Sequence, residues 1–266
     1  MLTPKRHSLS RAALGIGAML SLLVGVSGAG GPLLALPAQA SVVSLHSVVP
    51  SENTGCDGHS GILKPVPLHL AKTYAVLAGN QVTNAGATLV MGDLGVSPGT
   101  IVTGFPPGVL RGTMHAGDPA AAIAEQDVAR AYDNAARRPN AVLLPADIGG
   151  MAIAPGVYAA PVSLGISSNV MLDGKNNTSS VFIFQIPSTL TVATNAKVVL
   201  INGANACNVF WQVGSSATLG TSSVFAGTIL AFASISVGTG AQVNGRLLAE
   251  SGTVSLLTNF VREKGL

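Results

Sequence analysis

Charge is scarce in this chain. Only 9% of its 266 residues are Asp, Glu, Lys or Arg, and aromatic residues make up 4%. So few ionisable groups leave little material for general acid–base chemistry, and so few aromatics leave no stacking platform for nucleobases. The 14 basic residues exceed the 11 acidic ones by a formal +3, but Lys5, Arg6 and Arg11 fall in an N-terminal leader. Without the leader the net charge is near zero and no basic stripe remains, so no nucleic-acid partner is expected. Cysteine is nearly absent too. Besides Cys56 and Cys207 there is none, and the Cys56-Asp57-Gly58-His59 cluster has no second C-x-x-C or paired His beside it. A closed metal site needs three or four ligands, so neither a metal nor a cofactor is expected. No phosphate loop, zinc signature or nucleophile elbow occurs.

The leader has a basic start, an apolar stretch from Ala12 to Leu36 and small residues at Ala38-Gln39-Ala40. This pattern predicts a secretory signal over 1–40, cut after Ala40. The apolar run could span a bilayer, but Gly25, Gly28, Gly30, Gly31 and Pro32 interrupt it and no second span follows. A secreted, extracellular protein is expected, with no membrane attachment once the signal is gone. Cys56 and Cys207 would then meet an oxidising medium and are the candidate disulfide, pinning an aperiodic extension over 41–68 to the rest. No linker divides the chain further. One domain is expected over 69–260, with a short tail over 261–266.

Gly (32) and Pro (15) are plentiful, and between them a small pattern recurs. Thr189-Leu190-Thr191-Val192, Ser216-Ala217-Thr218-Leu219, Ser234-Ile235-Ser236-Val237 and Thr253-Val254-Ser255-Leu256 each alternate hydroxyl with apolar residues. In a strand, alternate side chains face opposite ways, so each copy buries its apolar pair and shows its hydroxyl pair. Thr191, Thr218, Ser236 and Ser255 follow one another at 27, 18 and 19 residues. That suits a coil of three short strands. Phe184-Gln185-Ile186 keeps phase with Trp211-Gln212-Val213, Ile229-Leu230-Ala231 and Leu247-Leu248-Ala249. A near-fixed period of this size predicts a β-solenoid, mainly β, whose rungs bury one another.

One helix is expected. Asp118 is a good N-cap, Pro119 suits the first helical position, and Arg137, Arg138 and Pro139 mark the end near Arg138. Ala124, Val128, Ala131 and Ala135 make a narrow face of small side chains that fits closely on a sheet. Glu125, Asp127, Arg130, Asp133 and Arg137 are expected largely in water. Outward Phe210, Leu230 and Leu248, beside inward Trp211, Ile229 and Leu247, would form the wall that the helix covers. The extension, or loops over 80–110, would cap the open solenoid ends.

Several phrases resemble a known family. They are Tyr74-Ala75-Val76-Leu77-Ala78-Gly79, Gly92-Asp93-Leu94-Gly95-Val96-Ser97-Pro98-Gly99, Gly104-Phe105-Pro106-Pro107-Gly108, Gly112-Thr113-Met114-His115-Ala116, Pro155-Gly156-Val157-Tyr158, Val181-Phe182-Ile183-Phe184-Gln185 and Cys207-Asn208-Val209-Phe210-Trp211-Gln212-Val213. Their order over residues 70–260 resembles the secreted microbial ice-binding-protein family. The resemblance implies a discontinuous right-handed β-helix of triangular section, with early and late parts of the chain interleaved and one long helix alongside. It also implies an ice crystal surface as the partner. The candidate contact residues are then Thr189, Thr191, Ser216, Thr218, Ser234, Ser236, Thr253 and Ser255, on a monomer. Some members carry Thr-Ala/Gly-x-Thr/Asn; the nearest text here, Thr239-Gly240-Ala241-Gln242, departs at its last position.

Fold does not fix function, and two other classes share this architecture. An extracellular structural or adhesive module would use the same polar face against a glycan or cell surface. Right-handed β-helices also include glycan-cleaving enzymes, which need paired carboxylates or carboxylates holding calcium. Asp93, Asp147 and Asp173 each sit in Gly-rich, turn-like text, and His115 has no motif partner. Arg246 reads as a solvated strand residue or a contact to the helix. No catalytic residues are assigned and no enzyme is expected.

Overall fold

The protein is described by a computed structural model covering residues 63–263. The leader, the Cys56–His59 cluster and most of the extension lie outside the described residues. Short runs of β-branched and small residues, stopped by Gly and Asn turns, form strands that stack in parallel into three walls of a triangular solenoid.

The first wall joins Val142–Leu143, Gly156–Ala159, Phe182–Ile186 and Val209–Val213 to the later halves of Val224–Ala231 and Gln242–Ala249, then to Tyr74–Ala78, Asp93–Val96 and Met114–Ala116. The second joins Leu164–Ile166, Leu190–Val192, Ala217–Leu219, Ile235–Val237, Thr253–Leu257, Gln81–Ala85 and Ile101–Thr103. The third runs from Ala152–Ile153 through Val170–Asp173 and Val198–Ile201, crosses the early halves of the two long strands, and ends on Phe260–Arg262, Leu89–Met91 and Val109–Arg111.

The order is discontinuous. Tyr74–Ala78 pairs with Leu247–Ala249, Gln81–Ala85 with Thr253–Leu257, and Leu89–Met91 with Phe260–Arg262. Two N-terminal coils therefore sit on the last C-terminal coil, and the helix carries the chain back to the opposite end. The stretch over 80–110, expected as capping loops, instead supplies strands to those coils. Its strands bury Val82 and Val90 in the core, which solvated loops would leave exposed.

The uneven period has a local cause. The 27-residue step detours through residues 202–208 at a corner, whereas the 18- and 19-residue coils pass that corner as single strands bent at Gly227 (φ 112°) and Gly245 (φ 152°). A Cβ on Gly245 would meet Gly227 O at 2.0 Å, so the rungs close there only with glycine.

The inner residues stack as the phase requires. Phe184 pairs with Trp211 and Trp211 with Ile229 in the ladders, and all three are buried. The Phe184 and Trp211 rings lie 3.9 Å apart at 8°, Tyr158 extends the stack below at 5.6 Å from Phe184, and Trp211 Nε1 donates to Ala226 O at 3.1 Å.

The helix, α1, spans Pro119–Ala136, slightly short of Arg138. Asp118 caps it, with Oδ1 accepting the Ala121 N–H at 2.9 Å and Oδ2 lying 2.7 Å from His115 Nδ1. The Ala121 N–H first, then His115, hold the Asp118 carboxyl below its ordinary range. Gln185 reaches from the first wall to the other end, its Nε2 2.9 Å from Ala135 O and 2.9 Å from Arg138 O. Eighteen residues make a helix about 27 Å long, enough to cross five or six rungs at ~4.8 Å each. Ala121, Ala124, Val128, Ala131 and Ala135 pack on Ile183, Phe210, Leu230, Leu248 and Leu77, as the small-residue face predicts. Ala131→Glu should therefore cost on the order of 3 to 5 kcal/mol by burying an unpaired charge, against about 1 to 2 kcal/mol for Arg130→Glu, whose side chain is exposed and loses only its ion pair to Asp127. Equal denaturant midpoints for the two variants would show that the wrong face was assigned.

Glu125 and Asp127, expected in water, are buried. The segment around His69–Thr73 covers one flank of the helix, and the Leu70 N–H donates to Asp127 Oδ2 at 3.0 Å. Among the described residues Glu125 has no hydrogen-bond partner for either oxygen, and burial, reinforced by Glu250, pushes its carboxyl up to about 9. Below the ordinary value of 4.5 both folded and unfolded chains are protonated. Between 4.5 and about 9 the unfolded chain gives up the proton while the folded one keeps it, so stability falls as pH rises. Glu125→Gln should remove that slope and stabilise the protein by roughly 2 to 3 kcal/mol at pH 7. Parallel pH–stability curves for variant and native protein would contradict it.

Arg246 is neither solvated nor against α1. It is buried in an ion pair with Glu263, and its Nε donates to Lys72 O at 2.8 Å. A charge in a strand is buried here because the segment before the first coil and the last strand close over it together.

Candidate functional site

The second wall carries the hydroxyl ladder. Inner residues Leu190, Ala217, Ile235 and Val254 are fully buried, so the residues flanking them along each strand point outward. Thr191, Thr218, Ser236 and Ser255 pair rung to rung in one column. The column continues through two residues that the repeats do not reveal: Ser255 pairs with Thr83, and Thr83 with Thr103. Both lie on the N-terminal coils. The signal was present in Gln81-Val82-Thr83 and Ile101-Val102-Thr103, which share the alternation and stand 20 residues apart, but only the interleaved order places them beside Ser255.

A second column holds Thr189, Ser216, Ser234 and Thr253, followed by Gln81 and Ile101. The two columns differ in what their oxygens do. Ser216 Oγ accepts the Ser234 N–H at 3.3 Å, Ser234 Oγ accepts the Thr253 N–H at 3.1 Å, and Thr189 Oγ1 donates to Ser163 Oγ at 3.0 Å. These bonds fix the second column's rotamers. In the first column Thr83 Oγ1 donates to Ser255 Oγ at 3.2 Å, while Thr191, Thr218 and Ser236 stand exposed, their hydroxyls bonded to no described residue. Those three are open to water. At the next corner Thr194, Thr221 and Thr239 form a further exposed row, stepped by the Asn195 N–H to Thr221 O (3.0 Å) and Ser222 N–H to Thr239 O (2.9 Å) bonds. The Thr239-Gly240-Ala241-Gln242 text thus falls on this corner rather than on the flat strands.

The other walls do not offer such a surface. The first is covered by α1 over much of its length. The third exposes Lys197, Arg262 and Arg111 among Met171 and Gln242. A charged side chain holds water in its own geometry, so the hydroxyl wall is the flat face with least to disturb ordered water.

The carboxylates are spread over three walls. Asp93 Oδ1 accepts the Thr113 N–H at 2.9 Å on the first, Asp147 accepts the Gly149 and Ser167 N–H groups on the second, and Asp173 Oδ1 accepts from Lys175 N and Asn202 Nδ2 on the third. Asp147 and Asp173 tie down turns; Asp93 opens a strand. His115 is bonded to the helix cap. Cys207 is buried and disulfide-bonded; Cys56, its expected partner, lies outside the described residues.

The architecture is a discontinuous right-handed β-helix with one free hydroxyl wall and one wall sealed by a helix. The family described as ice-binding-like matches residues 76–262, and the chain belongs to it. An ice-binding protein from Nostoc sp. (strain HG1) is 44% identical over 196 residues, which cover 73% of this chain and 72% of the relative. One from Flavobacterium frigoris (strain PS1) is 33% identical over 214 residues, covering 74% and 75%. The crystal structure of an ice-binding protein from an Antarctic biological consortium matches with a TM-score of 0.74 at 44% identity, covering 76% of this chain and 93% of that one. The structure of an ice-binding protein from the Antarctic ascomycete Antarctomyces psychrotrophicus gives 0.74 at 38%, covering 76% and 100%.

Proposed function

We propose that this protein is exported and binds ice, acting as a monomer through the hydroxyl wall, with no nucleic-acid or membrane partner. The observation that carries the reading is the uncharged column Thr191, Thr218, Ser236, Ser255, Thr83 and Thr103, in register over six consecutive rungs. Rungs about 4.8 Å apart and alternate residues roughly 6.6 Å apart make a two-dimensional grid that can hold water in an ice-like order. The backbone sets that grid before ice arrives, and β-branched Thr has few rotamers to lose, so adsorption costs little conformational entropy. Adsorbed molecules then block the addition of further ice layers. The relatives named ice-binding proteins support the same partner.

Export follows from the leader over 1–40. The disulfide at Cys207 fits an oxidising medium, and Cys56 is its proposed partner. Among the described residues no helix is long and apolar enough to cross a membrane. Ice-affinity partitioning tests the reading: the purified protein should concentrate in slowly grown ice while a co-dissolved inert protein stays in the liquid. Exclusion of both from the ice would overturn it.

A further inference from the structure

The hydroxyl column stops before the solenoid does. Below Thr191 the same position is held first by Gly165 and then by Asp147. The core continues underneath, with Leu164, Ile166 and Ile148 fully buried. The wall is therefore built for two more rungs than its hydroxyls occupy.

The fold does not require glycine at 165. Its φ lies outside the left-handed region, and an added Cβ would rest 3.5 Å from Ala146 O, 3.5 Å from Asp147 Oδ1 and 3.7 Å from Asp147 Cβ, all ordinary contacts. The turn glycines bordering the wall are different: a Cβ on Gly220 would come within 2.6 Å of Thr194 N, and one on Gly238 within 2.8 Å of Thr221 N. Those two are obligatory. A glycine in a strand with room for a side chain only weakens the strand. Next to it, Asp147 accepts the Ser167 hydroxyl together with the Ser167 and Gly149 N–H groups, which fix its carboxylate at the end of the column.

We infer that Gly165 and Asp147 mark the lower boundary of the ice-contacting surface, and that Gly165 is the residue that limits its length. Gly165 leaves a gap where the grid would continue, and Asp147 orders water around its own charge. The inference rests on the ice-binding reading above. Gly165→Thr extends the column to seven hydroxyl rungs. Attraction grows with each rung in register while the orientational cost of adsorption is already met, so thermal hysteresis at equal concentration should rise at least about 1.5-fold.

The test compares Gly165→Thr, Gly165→Ala and Thr218→Tyr with native protein by thermal hysteresis and melting temperature. Gly165→Ser carries the comparison if the threonine variant is unstable. The inference expects a rise for Thr, little change for Ala, and loss for Thr218→Tyr. An unchanged Gly165→Thr beside an inactive Thr218→Tyr overturns the boundary and leaves the ice site standing. An equal rise for Ala also overturns it, because backbone stiffening alone would then explain the gain. A harmless Thr218→Tyr removes the site assignment beneath both.

Discussion

Replacing Thr218 by Tyr will abolish thermal hysteresis and inhibition of ice recrystallisation while leaving the fold in place. Thr218 stands between Thr191 and Ser236 at the middle of the ladder, exposed and unbonded to the described residues, so its side chain supports nothing inside. A phenol ring there stands several ångströms proud of a grid whose value lies in its flatness, and lifts the neighbouring rungs from the ice with it. Central contacts in a rigid interface carry most of its binding energy, so activity should fall to below about a tenth of native. Melting temperature should change little, since an aromatic residue is well tolerated on an exposed strand face. Activity preserved in both Thr218→Tyr and Thr191→Tyr would place the ice site on another wall.

Trp211→Ala will have the opposite profile. The indole is fully buried, stacked on Phe184 below, tilted against Phe225 and bonded to Ala226 O. Truncation leaves a large cavity and an unmet carbonyl, costing about 3 to 5 kcal/mol. In a solenoid each rung is held mainly by its neighbours, so a central cavity weakens the rungs on both sides of it. The melting temperature should drop by on the order of 10 °C for a domain of this size. Native Trp emission, from the single indole of the chain, should be blue-shifted. Water-exposed emission from folded protein, or a variant as stable as native, would contradict the placement.

The parts of this fold legible in the sequence are those fixed by local alternation. Parallel rungs stack residue on residue, so the phase linking Phe184, Trp211 and Ile229 in text became contact in space. Thr191, Thr218, Ser236 and Ser255 came into line for the same reason. The helix was legible from Asp118, Pro119 and its alanines, because caps and small faces are local properties. What escaped depends on partners distant in sequence. Thr83 reaches Ser255 only through the interleaved coils, Glu125 is buried and meets the charge of Glu250 only once helix and solenoid are docked, and Arg246 needs Glu263 and Lys72 O to leave water. No periodicity encodes such meetings.

Thermal hysteresis of the purified protein, read on a single ice crystal at rising protein concentration, tests the central claim most directly. If the hydroxyl wall adsorbs to ice, the freezing point falls below the melting point by a gap that widens with concentration, and the crystal grows faceted. A disc-shaped crystal growing freely at the melting point, with folded protein at high concentration, would contradict it.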